Sequence, residues 1–328
     1  MNSIIAFCTL TAIASVKIVI TKQLFLNINL PVAYSLTSCV VTAICIAPCF
    51  LVTKLQYITT ETKKGILIAS LAIASDLAFT NIALSKLDIA LQQSLKAMTP
   101  MITLILQDLY NSERSHIILY AIIFTASLGP FIIAMENPMT KSSIIGIFCM
   151  IFALITGALK NIFAHSIIKN SRSLMGILSF TFWIEIICST ILLPWSLLSE
   201  ELFSMLDLDS YMYPAIFVVA LMGGVRILSQ FYFLKFTSPT SLALSNICIQ
   251  LMTTCSSFLI FNRKITFTFM IGILISLISS SIYAYVKSYS IFDKKYKYQI
   301  DVVEDEKKEM DEPIRPSSET CIDKDDDL

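Results

Sequence analysis

Charge is scarce in this chain of 328 residues: Lys, Arg, Asp and Glu make up 15 % of it and cancel to a formal net charge of zero. Histidine occurs only at His116 and His165, too few for a His-built metal site. The nine cysteines contain no CxxC pair and no Cys/His cluster, and all except Cys321 lie in or beside apolar runs. They read as small buried hydrophobes rather than as disulfide partners. No P-loop, no paired general acid and base, and no nucleophile beside a base is visible. These absences argue against an enzyme, against an ATP-driven pump built from this chain alone, and against any metal or other cofactor. A zero net charge gives no bulk pull toward nucleic acid. The amino terminus, MNSIIAFCTLTAIASVKIVITK, has no basic segment ahead of its apolar stretch and is not Arg/Ser-rich, so it reads as a first span rather than a removed address.

What the chain does have is apolar length. Hydrophobic residues make up 55 % of it and the mean hydropathy is +0.74, outside the usage of soluble domains. Counted in runs of about twenty residues, the sequence predicts ten spans, near 4–21, 31–52, 65–84, 88–108, 116–134, 143–167, 176–198, 212–234, 240–261 and 265–286. With both termini cytosolic, the cytosolic loops carry Lys54, Lys63, Lys64, Arg114, Lys169, Arg172, Lys235 and the lysines at 287, 294, 295 and 297. The other side carries Lys22, Lys86, Lys141, Arg263 and Lys264, the smaller set, so the positive-inside rule selects this orientation. A faint match at an offset of 150 residues pairs Leu87–Lys96 with Thr237–Asn246. The expected fold is therefore an all-α membrane protein of ten transmembrane helices in two inverted five-helix repeats, 1–138 and 139–290. Such repeats place substrate where the halves meet. Residues 291–328 are too charged to bury a core and read as a disordered cytosolic tail.

Charges inside the spans carry the functional signal. Lys17, Lys96, Lys160 and Arg226 fall in apolar runs, against the two carboxylates Asp76 and Glu185. A charge near the bilayer centre costs about 2.5–3.5 kcal/mol on insertion scales and normally faces a partner or a water-filled path. The surplus of cations points to an anionic cargo. With 88–108 taken as one helix, Gln92, Lys96, Thr99 and Thr103 form a polar stripe suited to orienting an oxyanion, and Pro100 is placed to free a carbonyl. Pairing with Asp76 is the plainer role for Lys96. Lys160 either faces the interior or snorkels toward the cytosolic interface near Lys169. Arg226, beside Gly223 and Gly224, suits bidentate phosphate binding or pairing with Glu185. Asn246, Gln250, Thr253 and Ser257 share a face suited to sugar hydroxyls or a nucleobase, or to interhelical hydrogen bonding. Lys22 is expected to reach the interface.

Several stretches in order, Thr21-Lys22 with LNINLPVAYSLT, TNIALSKLDIALQQSLKAMTP, GALKNIFAHSIIK, FTSPTSLALSN and IGILISLISSSIYAY, resemble the triose-phosphate/nucleotide-sugar translocators of the drug/metabolite transporter superfamily. The resemblance runs over roughly 15–287. It implies a ten-helix antiporter that swaps phosphorylated sugars or nucleotide sugars for phosphate or a nucleoside monophosphate. It also places Lys96 on the family's intramembrane lysine and Lys160 on a basic position of the sixth span. Many members carry Lys or Lys-Arg in the ninth span where this chain has Ile249-Gln250, a departure from a strict triose-phosphate site. The Phe-Tyr-Asn-Asn of GDP-mannose carriers is replaced by Phe182-Trp183-Ile184-Glu185, which argues against that cargo. The substrate-binding residues expected on these combined grounds are Lys96, Arg226, Lys160, Gln92, Thr99, Asn246, Gln250 and Lys22. The partners expected are an anionic small molecule and the lipid bilayer, with no nucleic acid; a homodimer is compatible with the sequence. The expected setting is a Golgi or endoplasmic reticulum membrane, with a plastid-type membrane as the alternative. Other functions weighed are export of uncharged metabolites and a non-transporting membrane scaffold.

Overall fold

The computed structural model describes residues 2–58, 60–87, 89–111, 115, 117–135, 144–170, 176–260, 266–268, 270–279, 281–283 and 285–286. Eleven helices are bounded there: α1 (Asn2–Asn27), α2 (Pro31–Ile46), α3 (Thr60–Lys86), α4 (Ile89–Lys96), α5 (Thr99–Asn111), α6 (Ile117–Met135), α7 (Ile144–Asn170), α8 (Ile177–Leu198), α9 (Glu201–Leu206), α10 (Met212–Phe236) and α11 (Pro239–Ile260). An apolar helical stretch follows at Met270–Tyr283. No strand occurs among the described residues. Six stretches are long and apolar enough to cross a membrane: Leu10–Asn27, Pro31–Leu51, Thr62–Lys86, Ile144–Lys169, Ile177–Leu198 and Met212–Phe236. The expected basic loop residues Arg114, Lys141, Arg172, Arg263 and Lys264, and the tail 291–328, lie outside the described residues.

Two expected spans are interrupted, each near a proline. The single helix expected over 88–108 is two helices, α4 and α5, parted at Ala97–Met98. Pro100 has no N–H to give the Lys96 carbonyl, and its ring crowds that carbonyl. The second span leaves α geometry after Ile46 and tightens into a 3-10 turn over Ala47–Leu51, which contains Pro48.

The helices are apolar nearly all round, as a bilayer requires. On α3, Ile66, Ala69 and Ile73 are buried while Leu67, Ile68 and Leu71 face outward. The inward face of α3 runs along α7; α2 packs on α8 and α10, and α1 on α10 and α11. Leu36, Ile73, Phe180, Ile184 and Phe231 meet in the largest apolar cluster, where the rings of Phe180 and Phe231 lie 5.1 Å apart, edge to face. Cys39 and Cys188 are buried in that cluster as expected, but Cys45, on the outward side of α2 with Ile44, and Cys49, in the 3-10 turn, are exposed free thiols.

One helix start is satisfied from far along the chain. The Glu201 carboxylate, in the short α9, accepts from the backbone N–H groups of Val32 (2.7 Å) and Ala33 (2.9 Å) at the start of α2, donors with no partner inside the helix. Burial pushes the Glu201 carboxyl above its ordinary value, against the opposing pull of those two N–H groups and of Lys86. The folded protein therefore holds this proton to higher pH than the unfolded chain. Its contribution to stability is complete below the ordinary carboxylate range and declines as pH rises through the raised value. We expect Glu201→Ala to cost about 1 kcal/mol, the usual worth of a helix cap. Glu201→Gln, which keeps an acceptor, is expected to retain the cap and remove that pH dependence. Thermal unfolding in detergent between pH 4 and pH 8 checks both.

Candidate functional site

The break between α4 and α5 exposes carbonyls that hydroxyl groups then occupy. Thr99 Oγ1 donates to the Lys96 carbonyl at 2.5 Å, Ser127 Oγ of α6 donates to the Ala97 carbonyl at 2.8 Å, and Thr103 Oγ1 donates to the Thr99 carbonyl at 2.8 Å. The expected polar stripe is thereby divided. Thr99 and Thr103 turn their hydroxyls back onto the helix. Gln92 is buried, donating to the Thr80 carbonyl at 3.2 Å and accepting from Gln93. Lys96 sits at the break itself, partly exposed.

The deep charges converge from six elements. Asp76 of α3 is the ion partner of Lys160 of α7, both buried. Thr80 Oγ1 also donates to Asp76, at 3.2 Å. Lys160 therefore does not snorkel to an interface; it is anchored inward, where Gly157 lets α7 close on Asp76. A Cβ at Gly157 would lie 3.0 Å from Asp76 Oδ1. Lys17, on α1, is buried and sits 5.9 Å from the centre of the Tyr34 ring, within range of a cation–π attraction. Lys96, Lys160, Arg226 and Asp76 lie close enough to feel one another's charge. The Glu185 carboxyl of α8, 2 % exposed, lies beside the Cys39 thiol of α2. Among the described residues, no carboxylate comes within 4.0 Å of Lys17, Lys96 or Arg226. The pairing of Lys96 with Asp76 is not made, because Lys160 has already taken Asp76, and the pairing of Arg226 with Glu185 is not made either.

Lys17, Lys160, Glu185 and Arg226 line one cavity, with Ser38, Cys39, Thr42, Leu77, Gly223, Ile227 and Gln230. Its open volume is about 20 Å³, room for little more than a water molecule. Close contact of α10 with α2 forms one wall. A Cβ at Gly223 would fall 2.7 Å from both Lys17 Nζ and Ser38 Oγ, and one at Gly224 2.8 Å from Thr42 Oγ1. The wall is completed by Gln230 Nε2, which donates to Asn161 Oδ1 of α7 at 3.1 Å.

Of the residues expected to bind substrate, the structure brings Arg226 and Lys160 to the cavity, with Lys96 nearby. Gln250 is buried and Asn246 partly exposed on α11, both outside the lining. Lys22 corrects the expectation of an interfacial side chain. It is buried, and its ammonium donates to the carbonyls of Leu84 and Leu87 at 2.7 Å each, closing the end of α3 as cations do at helix C-termini. The polar lining residues not singled out beforehand are Ser38 and Thr42. Ser35, Ser38 and Thr42 share one stripe of α2, a spacing of three and four that marks a face for close helix approach.

An all-helical fold with apolar outward faces and a buried cation-rich cavity defines a membrane protein that handles a solute. The sequence model of the Triose-phosphate Transporter family matches residues 2–284. The chain belongs to that family and is a membrane transporter of phosphorylated sugars or related solutes. Comparison with the sequences of curated proteins finds no match. A protein of known crystal structure shares 10 % identity with this chain and superposes with a TM-score of 0.61, over 85 % of this chain and 98 % of its own. That is a likeness of fold.

The Lys160–Asp76 pair generates a test. Asp76→Ala leaves a buried ammonium without its partner and is expected to cost about 3–5 kcal/mol. The double change Asp76→Ala with Lys160→Met is expected to recover most of that loss. A double-mutant cycle on unfolding midpoints in detergent measures the coupling.

Proposed function

We propose that this protein is an antiporter that exchanges phosphorylated sugars or nucleotide sugars for phosphate or a nucleoside monophosphate. The observation that carries the reading is the surplus of cations around the cavity. Arg226, Lys17 and Lys96 have no carboxylate partner among the described residues, while Lys160 is neutralised by Asp76. An anion entering between Arg226 and Lys17 replaces the missing counter-charge. Arg226 offers the planar fork that phosphate oxygens accept, and the lysines act as point charges. Lys160 stays as the inner wall, a change from the direct contact expected of it. Asn161 and Gln230 supply neutral polar groups beside the phosphate.

A cavity of about 20 Å³ does not admit a sugar phosphate, so helices must part for loading. Ten spans in two inverted repeats, 1–138 and 139–290, give the rocking pair for that motion, and the α4–α5 break gives it a joint. An empty site keeps an uncompensated charge. This disfavours return of the unloaded carrier and couples the half-cycles as exchange. The setting proposed is a Golgi or endoplasmic reticulum membrane with both termini cytosolic.

Counterflow in proteoliposomes against a panel of sugar phosphates, nucleotide sugars and inorganic phosphate tests the reading. Lys96→Ala and Arg226→Gln are each expected to lower exchange by about tenfold or more, the worth of one hydrogen bond to a charged group, with the protein still folded. Unchanged exchange in both variants would point to an uncharged cargo and overturn the anion reading. Removal of residues 291–328 is expected to leave exchange in place, whereas a scaffold would lose its function.

A further inference from the structure

The two buried carboxyl groups differ in how they are held. Asp76 has a cation and a hydroxyl fixed on it, Lys160 and Thr80. Glu185 has no cation within 4.0 Å among the described residues and shares the cavity lining with the Cys39 thiol. Yet Glu185 faces the cavity that Arg226 and Lys17 also face. The groups around it from each packed element are Lys17 of α1, Cys39 of α2, the Asp76–Lys160 pair between α3 and α7, Arg226 of α10 and, on α8 itself, Cys188.

An anion seated on Arg226 and Lys17 would meet an ionised Glu185 as a like charge across a cavity only about 20 Å³ in volume. A proton on Glu185 removes that repulsion. Without the anion, an ionised Glu185 offsets one of those two positive charges. The cavity thus alternates between two states: anion bound with Glu185 protonated, or anion absent with Glu185 ionised and one cation still uncompensated. We propose that Glu185 is a proton-binding site linked to anion binding, so that a proton enters and leaves the site with the anion. This inference rests on the anion-carrier reading above. By linkage the coupling is reciprocal: anion binding favours the proton and acid favours the anion. One linked proton changes anion affinity by at most about tenfold per pH unit.

The test is homo-exchange of labelled inorganic phosphate by the full chain in proteoliposomes, at equal internal and external pH between 5.5 and 8.5. If phosphate gives no exchange, the best cargo of the counterflow panel takes its place. The cargo's own titration is common to every variant, so the ratio of wild type to Glu185→Gln isolates the side chain. We expect that ratio to change with pH by a factor approaching tenfold per unit, and Glu185→Asp to retain a pH-dependent profile. A ratio constant across the range overturns the proton role and leaves the anion carrier standing. If Glu185→Gln is not recovered folded, Cys39→Ala serves instead. Loss of the neighbouring thiol moves the midpoint of the profile if Glu185 is the titrating group, and an unmoved midpoint overturns the proposal. Absence of exchange with every phosphorylated cargo removes both readings together.

Discussion

The ion pair between Lys160 and Asp76 sets the electrostatics of the whole interior. It consumes the carboxylate that Lys96 or Arg226 would otherwise use. A bundle with four deep cations and two carboxyl groups could have hidden its imbalance by spreading partial pairings. Instead one pair is tight and supported by Thr80, while the remaining cations keep their charge facing the cavity or standing close to it. A buried pair of this kind is weak evidence for net stability. Its role is better described as fixing which charges stay available.

Backbone chemistry serves the same end. In a membrane interior, an interrupted helix survives only if its released carbonyls find donors. At the α4–α5 break those donors are Thr99 and Ser127, the second reaching across from α6. Hydroxyls that look like substrate ligands along a helical stripe are instead occupied in holding the break open beside Lys96. The adjoining α2–α10 contact needs two glycines for a comparable geometric reason, since a methyl group at either would collide with Ser38 or Thr42.

Much of the fold was legible because apolar run length is a direct readout of membrane span. The stretches read at 143–167, 176–198 and 212–234 appear as α7, α8 and α10 with ends shifted by a few residues. The deep charges were legible one at a time for the same reason. Their pairing was not: which lysine reaches Asp76 depends on how α3 lies along α7, and nothing local to either segment encodes that. Lys22 misled because flanking position suggests an interface, whereas the carbonyls at the end of α3 captured its ammonium. The split of 88–108 was half visible in Pro100. The donors that repair the split come from both sides of the proline, and only Thr99 is near it in sequence.

The grip of Glu201 on the first residues of α2 has a mechanical consequence. The carboxylate belongs to the segment strung between α8 and α10, and the amides it holds lie 168 and 169 positions earlier in the chain. α2 in turn contributes Ser38, Cys39 and Thr42 to the chamber wall. A displacement of α8 or α10 is therefore transmitted to α2 through a crossbar near its tip as well as through side-by-side packing. Three struts of the chamber are yoked at one end, so any swing about that end would widen the chamber most at the other.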